Sequence, residues 1–258
     1  VPTRITPPKI ALDDSNSPFS KWFPDGKMNS CFNAVDRHVL AGRQEQTAIQ
    51  YESPITGQSA SMSYGELKKQ TEKFAGMLNE QGLKKGDRVI IYMPMIKEAV
   101  IAMLGCARIG VVHSVVFGGF AAAELAKRIN DCKPKLIVSA SCGHEPNRLV
   151  HYKPLLDQAI QQSKYKPSKC IIYQRDAAKA DLLDGRDIEW YEALASATPA
   201  NPVALSANDP LYILYTSGTT GQPKGVVRDN GGHAVALCWS MSNIYDVNPG
   251  EVFWAASD

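Results

Sequence analysis

The chain has 258 residues, of which 44% are hydrophobic and 21% are charged, as in ordinary folded proteins rather than disordered ones. Its formal net charge is +2, and the basic residues form doublets such as Lys68-Lys69 instead of long runs, which disfavours nucleic-acid binding. Lys97, Glu98 and Arg108 interrupt the most apolar region. No stretch therefore reaches the roughly 18 apolar residues of a membrane span, and we expect no membrane-spanning helix.

The cysteines and histidines show no pattern of a metal site. The 6 cysteines lack both C-x-x-C spacing and the density of a disulfide scaffold, so they predict reduced, mostly buried thiols of an intracellular protein. The 5 histidines are scattered and form no zinc-like set. We therefore assign no residue as a metal ligand.

The first thirty residues predict an irregular arm that packs along a surface. Five prolines stand there among polar residues, namely Pro2, Pro7, Pro8, Pro18 and Pro24. We divide the chain into an N-terminal arm and entry segment, residues 1–62, and the first α/β part of a larger domain, residues 63–258.

A helix is predicted to begin at residue 64. Ser63 and Glu66 have the spacing of a capping box, and apolar residues follow at helical intervals. Gly82 is a plausible end, because glycine tolerates the left-handed conformation that helix termini often need.

Strands and helices then alternate along the chain. Short apolar runs predict strands at 89–93, 111–116, 136–138, 170–173 and 211–215, and the segments 96–109, 121–129 and 154–163 predict helices. This order predicts an α/β fold with a mainly parallel sheet and helices on both faces. Ligands of such sheets gather at the carboxyl ends of strands, which points to the loops after Val116, Val138 and Tyr215.

The loop after the last of these strands combines short donors with a cation. Residues 216–226 contain four hydroxyl side chains, three glycines and Lys224, a set suited to phosphate oxygens. The loop is not a Walker A motif, because Pro223 stands where the second glycine should be. By composition alone, a flexible loop remains open as the alternative.

The ordered string Tyr215–Val226, YTSGTTGQPKGV, resembles the phosphate loop of the adenylate-forming superfamily. Other segments resemble short-chain acyl-CoA synthetases within that superfamily, and Val227–Val235 is closer to the propionyl-CoA than to the acetyl-CoA enzymes. The resemblance extends from about Phe19 to Asp258. The supporting segments are residues 22–29, 33–38, 86–96 and 109–120.

The resemblance implies a two-step reaction with ATP, Mg²⁺ and coenzyme A. A short carboxylate, propionate first and acetate or butyrate as alternatives, would form an acyl-adenylate and then a thioester. The phosphate-binding residues it implies are Thr216, Ser217, Gly218, Thr219, Thr220, Gly221, Lys224 and Gly225. Lys224 would also assist catalysis, and its alternative interpretation is a solvated surface lysine.

Two further segments match positions where the family contacts coenzyme A. The first is Glu145-Pro146-Asn147-Arg148, in the predicted loop after the third strand. Many acetyl-CoA synthetases have arginine where Glu145 stands, which puts one phosphate contact in doubt. The second is Phe117-Gly118-Gly119, with the ring near adenine; its alternative is a tight turn with a core phenylalanine.

Other conspicuous residues are interpreted as structural. Asp36, Arg37 and His38 are consecutive, and consecutive side chains do not face one another, so they predict no acid–base cluster. Three aromatic residues near the end are predicted to lie in the core: Trp239, Phe253 and Trp254.

The sequence ends in a segment that in the family leads into the acyl pocket. The family's remaining pocket, its ribose and Mg²⁺ motif, a hinge and a mobile domain with an essential lysine would lie beyond it. We expect the front part of an enzyme, inactive alone. The alternative is a non-catalytic nucleotide- or coenzyme A-binding piece, with a generic P-loop NTPase a distant third. The resemblance allows the mitochondrial matrix, or a bacterial or eukaryotic cytoplasm, and leaves the oligomeric state open.

Overall fold

The structure, a computed structural model, describes residues 6–216 and 223–254. Within them the strands are β1 (Leu12–Asp13), β2 (Lys21–Trp22), β3 (Lys27–Met28), β4 (Thr47–Ser53), β5 (Gln58–Ser63), β6 (Arg88–Met93), β7 (Val112–Phe117), β8 (Leu136–Ala140), β9 (Cys142–Glu145), β10 (Arg148–His151), β11 (Lys169–Tyr173), β12 (Asp187–Glu189), β13 (Leu205–Ser206), β14 (Pro210–Thr216) and β15 (Lys224–Asp229). The helices are α1 (Arg37–Leu40), α2 (Tyr64–Glu80), α3 (Lys97–Ile109), α4 (Ala122–Cys132), α5 (Tyr152–Gln162), α6 (Trp190–Ala195) and α7 (Asn230–Asn243), and a π-helical turn, Phe32–Asp36, leads into α1.

A seven-stranded sheet organises the described residues, with the strand order β12-β11-β8-β6-β7-β14-β15. All neighbouring strands are parallel except β14 and β15, which are antiparallel. The chain starts the sheet at β6, adds β7 on one side and then crosses to β8 on the other. The strand order therefore reverses around β6, which is where open α/β sheets bind ligands.

Helices cover both faces of this sheet, as the alternating pattern predicts. In one layer α2 packs against α3 and α6, and in the other α4 packs against α5. The central strand is buried on both sides, because Val89, Ile90, Ile91 and Tyr92 are all fully buried. The predicted α/β class with a mainly parallel sheet is thus confirmed.

Local signals set the ends of α2 and α3. The Ser63 side chain accepts a hydrogen bond from the backbone N–H of Glu66, and the Glu66 carboxylate accepts one from the N–H of Ser63, which completes the capping box. After the helices, Gly82 and Gly110 have φ of +77° and +75°. These left-handed positions explain why glycine follows each helix.

A buried ion pair joins the entry segment to α3. The guanidinium of Arg108 donates to Asp36 at 2.7 and 3.0 Å and to Glu72 at 3.0 Å. Burial opposes the charge of Arg108, but its hydrogen bonds and charge interactions with Asp36 and Cys31 together outweigh that penalty, and the pKa of Arg108 is raised. Asp36 therefore has a structural role, in agreement with the sequence interpretation.

The described part of the arm contains little regular structure, as predicted, since its strands β1, β2 and β3 have two residues each. The β4–β5 hairpin, in contrast, was not predicted. The boundary that we place between residues 62 and 63 falls at the end of this hairpin, and the division into two units stays a prediction.

The aromatic residues near the end do not lie in the core, and that prediction is wrong. Trp239, Phe253 and Trp254 are 59%, 46% and 81% exposed. Trp239 lies on α7, a helix whose buried residues are Asn230 and Gly231 at its start. The sequence pattern could not show this, because an apolar residue carries no information about which surface covers it.

Cysteine placement follows the sequence prediction. Five cysteines are buried and unpaired, while Cys238 is exposed. Among the described residues, no helix combines the length and the hydrophobicity needed to cross a membrane.

Candidate nucleotide and coenzyme A site

The strands that carry the predicted site residues end at one level of the sheet. Tyr212 on β14 pairs with His113 on β7. Each strand continues for four more residues and ends there, β14 at Thr216 and β7 at Phe117. Phe117 in turn pairs with Met93, the last residue of β6. The predicted phosphate loop and the Phe-Gly-Gly segment therefore leave neighbouring strands, about 5 Å apart, on the same edge.

The predicted phosphate loop connects the two antiparallel strands of a hairpin, β14 and β15. Thr216 pairs with Lys224, so both residues stand at its base, and both are exposed. Five predicted phosphate-binding residues lie outside the described residues and keep their status as predictions: Ser217, Gly218, Thr219, Thr220 and Gly221. The structure thus brings Thr216 and Lys224 together at the sheet edge. The predicted loop extends to residue 226, and that end is wrong, because residues 224–226 belong to β15.

Gly225 and Tyr215 form the next pair below the loop. A Cβ atom at Gly225 would lie 3.2 Å from the Tyr215 ring, which is tighter than ordinary side-chain contacts. The Tyr215 hydroxyl donates to Asp131 at 2.6 Å, and burial raises the pKa of that hydroxyl. The base of the predicted phosphate loop is therefore anchored to α4, which contains Asp131.

Phe117 ends β7 with its ring half exposed, at 51%. Gly119 folds beneath that ring, since a Cβ atom there would lie 2.4 Å from Phe117 Cε1. The tight turn of the alternative interpretation is therefore present, but the phenylalanine is not a core residue. An exposed ring over a glycine turn offers a surface on which a planar base could stack.

The segment from Glu145 to Arg148 is the tip of a β-hairpin, not the plain loop that the sequence predicts. Glu145 ends β9 and pairs with Arg148, which begins β10, while Pro146 and Asn147 form the exposed turn. Arg148 Nε donates to Glu145 Oε2 at 2.7 Å, and this hydrogen bond raises the pKa of Arg148. The Arg148 side chain is 70% exposed, so its remaining N–H groups face solvent.

Tyr152 joins the two predicted coenzyme A segments. A Cβ atom would lie 2.1 Å from its hydroxyl oxygen at Gly118 and 2.6 Å from it at Gly143. The ring is buried, lies 5.2 Å from that of Tyr92, and its burial raises the pKa of the hydroxyl. Glycines on β9 and after β7 therefore let both segments close around one hydroxyl.

Sequence reasoning missed Tyr152. The residue follows the hairpin at the start of α5, and no motif in the chain distinguishes it from other tyrosines. The glycines were the available signal, because Gly118 and Gly143 each leave room for a close neighbour.

The described residues do not supply a metal centre. Within 6–216 and 223–254, no three side chains of the His, Cys, Asp and Glu type come close enough together to hold an ion. The residues present thus fit no resident metal, and we assign none of them to Mg²⁺.

Two family models match the chain. A model of the family described as AMP-binding enzyme matches residues 36–258, and one described as acetyl-coenzyme A synthetase N-terminus matches residues 4–34. The chain belongs to the AMP-binding enzyme family.

Within this family the chain is similar to short-chain acyl-CoA synthetases. It is 52% identical over 248 residues to the mitochondrial acyl-CoA synthetase short-chain family member 3 of Rattus norvegicus, over 96% of this chain and 36% of the relative. It is 43% identical over 258 residues to the acetyl-coenzyme A synthetase of Streptomyces avermitilis, over 99% of this chain and 39% of the relative. An uncharacterized protein of Pseudomonas aeruginosa is 52% identical over 238 residues, 92% of this chain and 38% of the relative. The chain thus spans little more than a third of the length of these relatives.

Proposed function

We propose that the full-length protein containing this chain is an AMP-forming acid–CoA ligase that activates a short-chain carboxylate. The observation that carries the proposal is the common level of Thr216 and Phe117 at the carboxyl edge of neighbouring parallel strands. This arrangement brings a predicted triphosphate site next to a predicted coenzyme A site. Both substrates of such a ligase have to meet at one carboxylate.

In the first step, a carboxylate oxygen attacks the α-phosphorus of ATP, which arrives as its Mg²⁺ complex. The bond to the β-phosphate breaks, and an acyl-adenylate and pyrophosphate form. The proposed role of the hairpin loop is to hold the β- and γ-phosphates through hydroxyl and backbone donors. Lys224, at the base of this hairpin and exposed, is proposed to add a positive charge near them.

In the second step, the thiol of coenzyme A attacks the acyl carbon and AMP leaves. The proposed contacts are stacking of the adenine on Phe117 and a charge-assisted hydrogen bond from Arg148 to a phosphate. The half-exposed ring and the outward N–H groups of Arg148 support these contacts. Gly118 and Gly119 let the proposed cofactor-binding turn close against Tyr152 and under Phe117, and Glu145, Pro146 and Asn147 shape the neighbouring hairpin tip.

We propose propionate as the preferred acid, with acetate and butyrate as alternatives. The support is Val227–Val235, a segment closer to the propionyl-CoA than to the acetyl-CoA enzymes. The chain is also more similar to the rat mitochondrial short-chain enzyme than to the Streptomyces acetyl-coenzyme A synthetase. The same similarity supports the mitochondrial matrix as the compartment. The Pseudomonas relative supports a bacterial cytoplasm as the alternative.

The direct test is product analysis with the full-length protein, ATP, Mg²⁺ and coenzyme A. We expect equal amounts of AMP and acyl-CoA, and a kcat/KM that is highest for propionate among acetate, propionate and butyrate. Formation of ADP, or nucleotide hydrolysis independent of any acid, would contradict the ligase assignment. Binding of coenzyme A without turnover would instead support the non-catalytic alternative.

A further inference from the structure

A cleft of about 710 Å³ lies beside the β9–β10 hairpin and the loop after β11. His144 contributes to its lining, and side chains alternate along β9, so His144 points away from the face of Gly143 and Glu145. Thr56 and Gln58, at the turn of the β4–β5 hairpin, also line it. None of the residues assigned to ATP or coenzyme A above lines this cleft.

Arg175, in the loop after β11, is held in this cleft by two polar contacts. Its backbone N–H donates to the buried hydroxyl of Ser141 at 2.8 Å, and its Nη1 donates to the carbonyl of Cys142 at 3.2 Å. A guanidinium has five N–H donors, so most of them remain available for a ligand. The bond from Nη1 restricts the guanidinium before any ligand binds, which lowers the entropy cost of binding.

The loop that contains Arg175 is itself fixed. The Gln174 side chain donates to the carbonyl of Ala180 at 2.7 Å and accepts from the N–H of Ala180 at 2.9 Å. Arg175 and Ala178 form a bridge within the loop. The loop after β11 therefore forms an ordered wall of the cleft.

One cation of the cleft lining, Arg175, is not paired with an acid among the described residues. Asp176 is paired with Lys179 at 2.9 Å, and the carboxylate of Glu189 accepts the N–H of Glu192 at 2.9 Å as the cap of α6. Both acids of the lining are thus engaged. Within the described part of the chain, Arg175 has no ion-pair partner of its own.

We propose that this cleft binds a phosphate monoester through the guanidinium of Arg175. A planar fork of N–H donors matches phosphate oxygens in geometry and charge. Two sources share this chemistry. One is the 3′-phosphate of coenzyme A, whose nucleotide would reach past the hairpin tip, and the other is a free phosphorylated metabolite. The first source rests on the proposed function.

Titration calorimetry of the full-length protein separates these sources. The probes are coenzyme A, dephospho-coenzyme A and inorganic phosphate, each titrated into the wild type, Arg175→Ala and Arg175→Lys. Lys69→Ala, an exposed residue on α2, is the control for the loss of one positive charge. If the 3′-phosphate is the ligand, Arg175→Ala weakens coenzyme A binding about tenfold, as for a lost charge-assisted bond, and leaves dephospho-coenzyme A unchanged. Arg175→Lys then loses less affinity for coenzyme A than Arg175→Ala, and Lys69→Ala leaves the affinity for both ligands unchanged.

Loss of inorganic phosphate binding in Arg175→Ala, with both coenzyme A forms unaffected, supports the cleft as a site for a free phosphorylated metabolite. An unchanged affinity for all three probes overturns the proposal, and so does an equal loss for coenzyme A and dephospho-coenzyme A. If Arg148→Ala weakens coenzyme A while Arg175→Ala changes nothing, this inference fails and the proposed function stands. If coenzyme A does not bind the wild type at all, the proposed function fails, and phosphate binding at Arg175 is still measured separately.

Discussion

Glu145 and Arg148 form an ion pair across the tip of the β9–β10 hairpin, with 2.7 Å between Oε2 and Nε. The carboxylate holds the guanidinium in place, but it also supplies a negative charge beside the position proposed for a phosphate. An exposed pair of this kind contributes little to stability, so its main consequence concerns the ligand.

Replacement of this carboxylate tests its effect on coenzyme A. We expect Glu145→Gln to tighten coenzyme A binding about two- to fivefold, because repulsion of the phosphate is removed and one guanidinium donor becomes free. Arg148→Ala should weaken binding in the same assay. Equilibrium titration of both variants checks this, and weaker binding in Glu145→Gln would mean that the carboxylate positions Arg148 rather than competing for it.

The contact between Gly118 and Tyr152 predicts a second effect. Gly118→Ala would place a Cβ atom 2.1 Å from the Tyr152 hydroxyl, which forces the turn or the tyrosine to move. We expect the affinity for coenzyme A to fall while acid-dependent pyrophosphate exchange, which needs no coenzyme A, is retained.

The controls are the single variant Tyr152→Ala and the double variant Gly118→Ala/Tyr152→Ala, because both remove the clashing side chain. A double-mutant cycle should show recovery of part of the lost affinity. Additive losses in the two single variants would show that the Tyr152 hydroxyl does not link the two segments.

The pair of Asp36 and Arg108 predicts a stability effect. Asp36→Ala leaves a buried guanidinium with an incomplete set of partners, so the free energy of unfolding should fall by about 3 kcal/mol. The exposed Lys69→Ala variant should change it by less than about 0.5 kcal/mol. Urea denaturation measures both, and equal effects would exclude a structural role for Asp36.

His113 predicts a pH dependence of stability. Burial, with a smaller effect of His233, lowers the pKa of His113 to about 4, and Nδ1 lacks a hydrogen-bond partner among the described residues. The unfolded chain binds this proton near pH 6.5 and the folded chain only near pH 4. Stability should therefore fall as the pH drops through that window, by about 3 kcal/mol in total.

The control for this prediction is His113→Leu, which lacks the titrating group. Tyr212 on β14 stacks on the His113 ring at a centroid distance of 5.7 Å, and His233 on α7 lies 5.0 Å from Tyr212. Both residues remain in the variant. Urea denaturation between pH 7 and pH 4 should give a shallower slope for the variant. The same slope in both proteins would assign the loss to other groups.

The sequence predicted the alternating elements of the sheet correctly, whereas the site at the carboxyl edge stays a prediction. The elements could be predicted because apolar runs, the capping box at Ser63 and glycines such as Gly110 act locally. The contacts of Tyr152 and Arg175 could not be predicted, because they depend on how the hairpin packs against distant elements. The prediction that Trp239 lies in the core was wrong for the same reason, because burial depends on residues that are distant in sequence.

The Glu145–Arg148 segment shows the same division. The resemblance marked the position, but the hairpin register decides that these two side chains meet across the tip. A one-residue change in the register would move Arg148 to the other face. Pairing of this kind follows from tertiary structure and not from residue types.

Acid-dependent pyrophosphate exchange in the full-length protein, with Lys224→Ala and Thr219→Ala as variants, tests the account most directly. We predict exchange in the wild type that requires the carboxylate, and a rate that is about tenfold or more lower in each variant, because each removes a donor to the triphosphate. The exposed Lys164→Ala variant should keep the wild-type rate. Wild-type rates in both Lys224→Ala and Thr219→Ala would contradict the account.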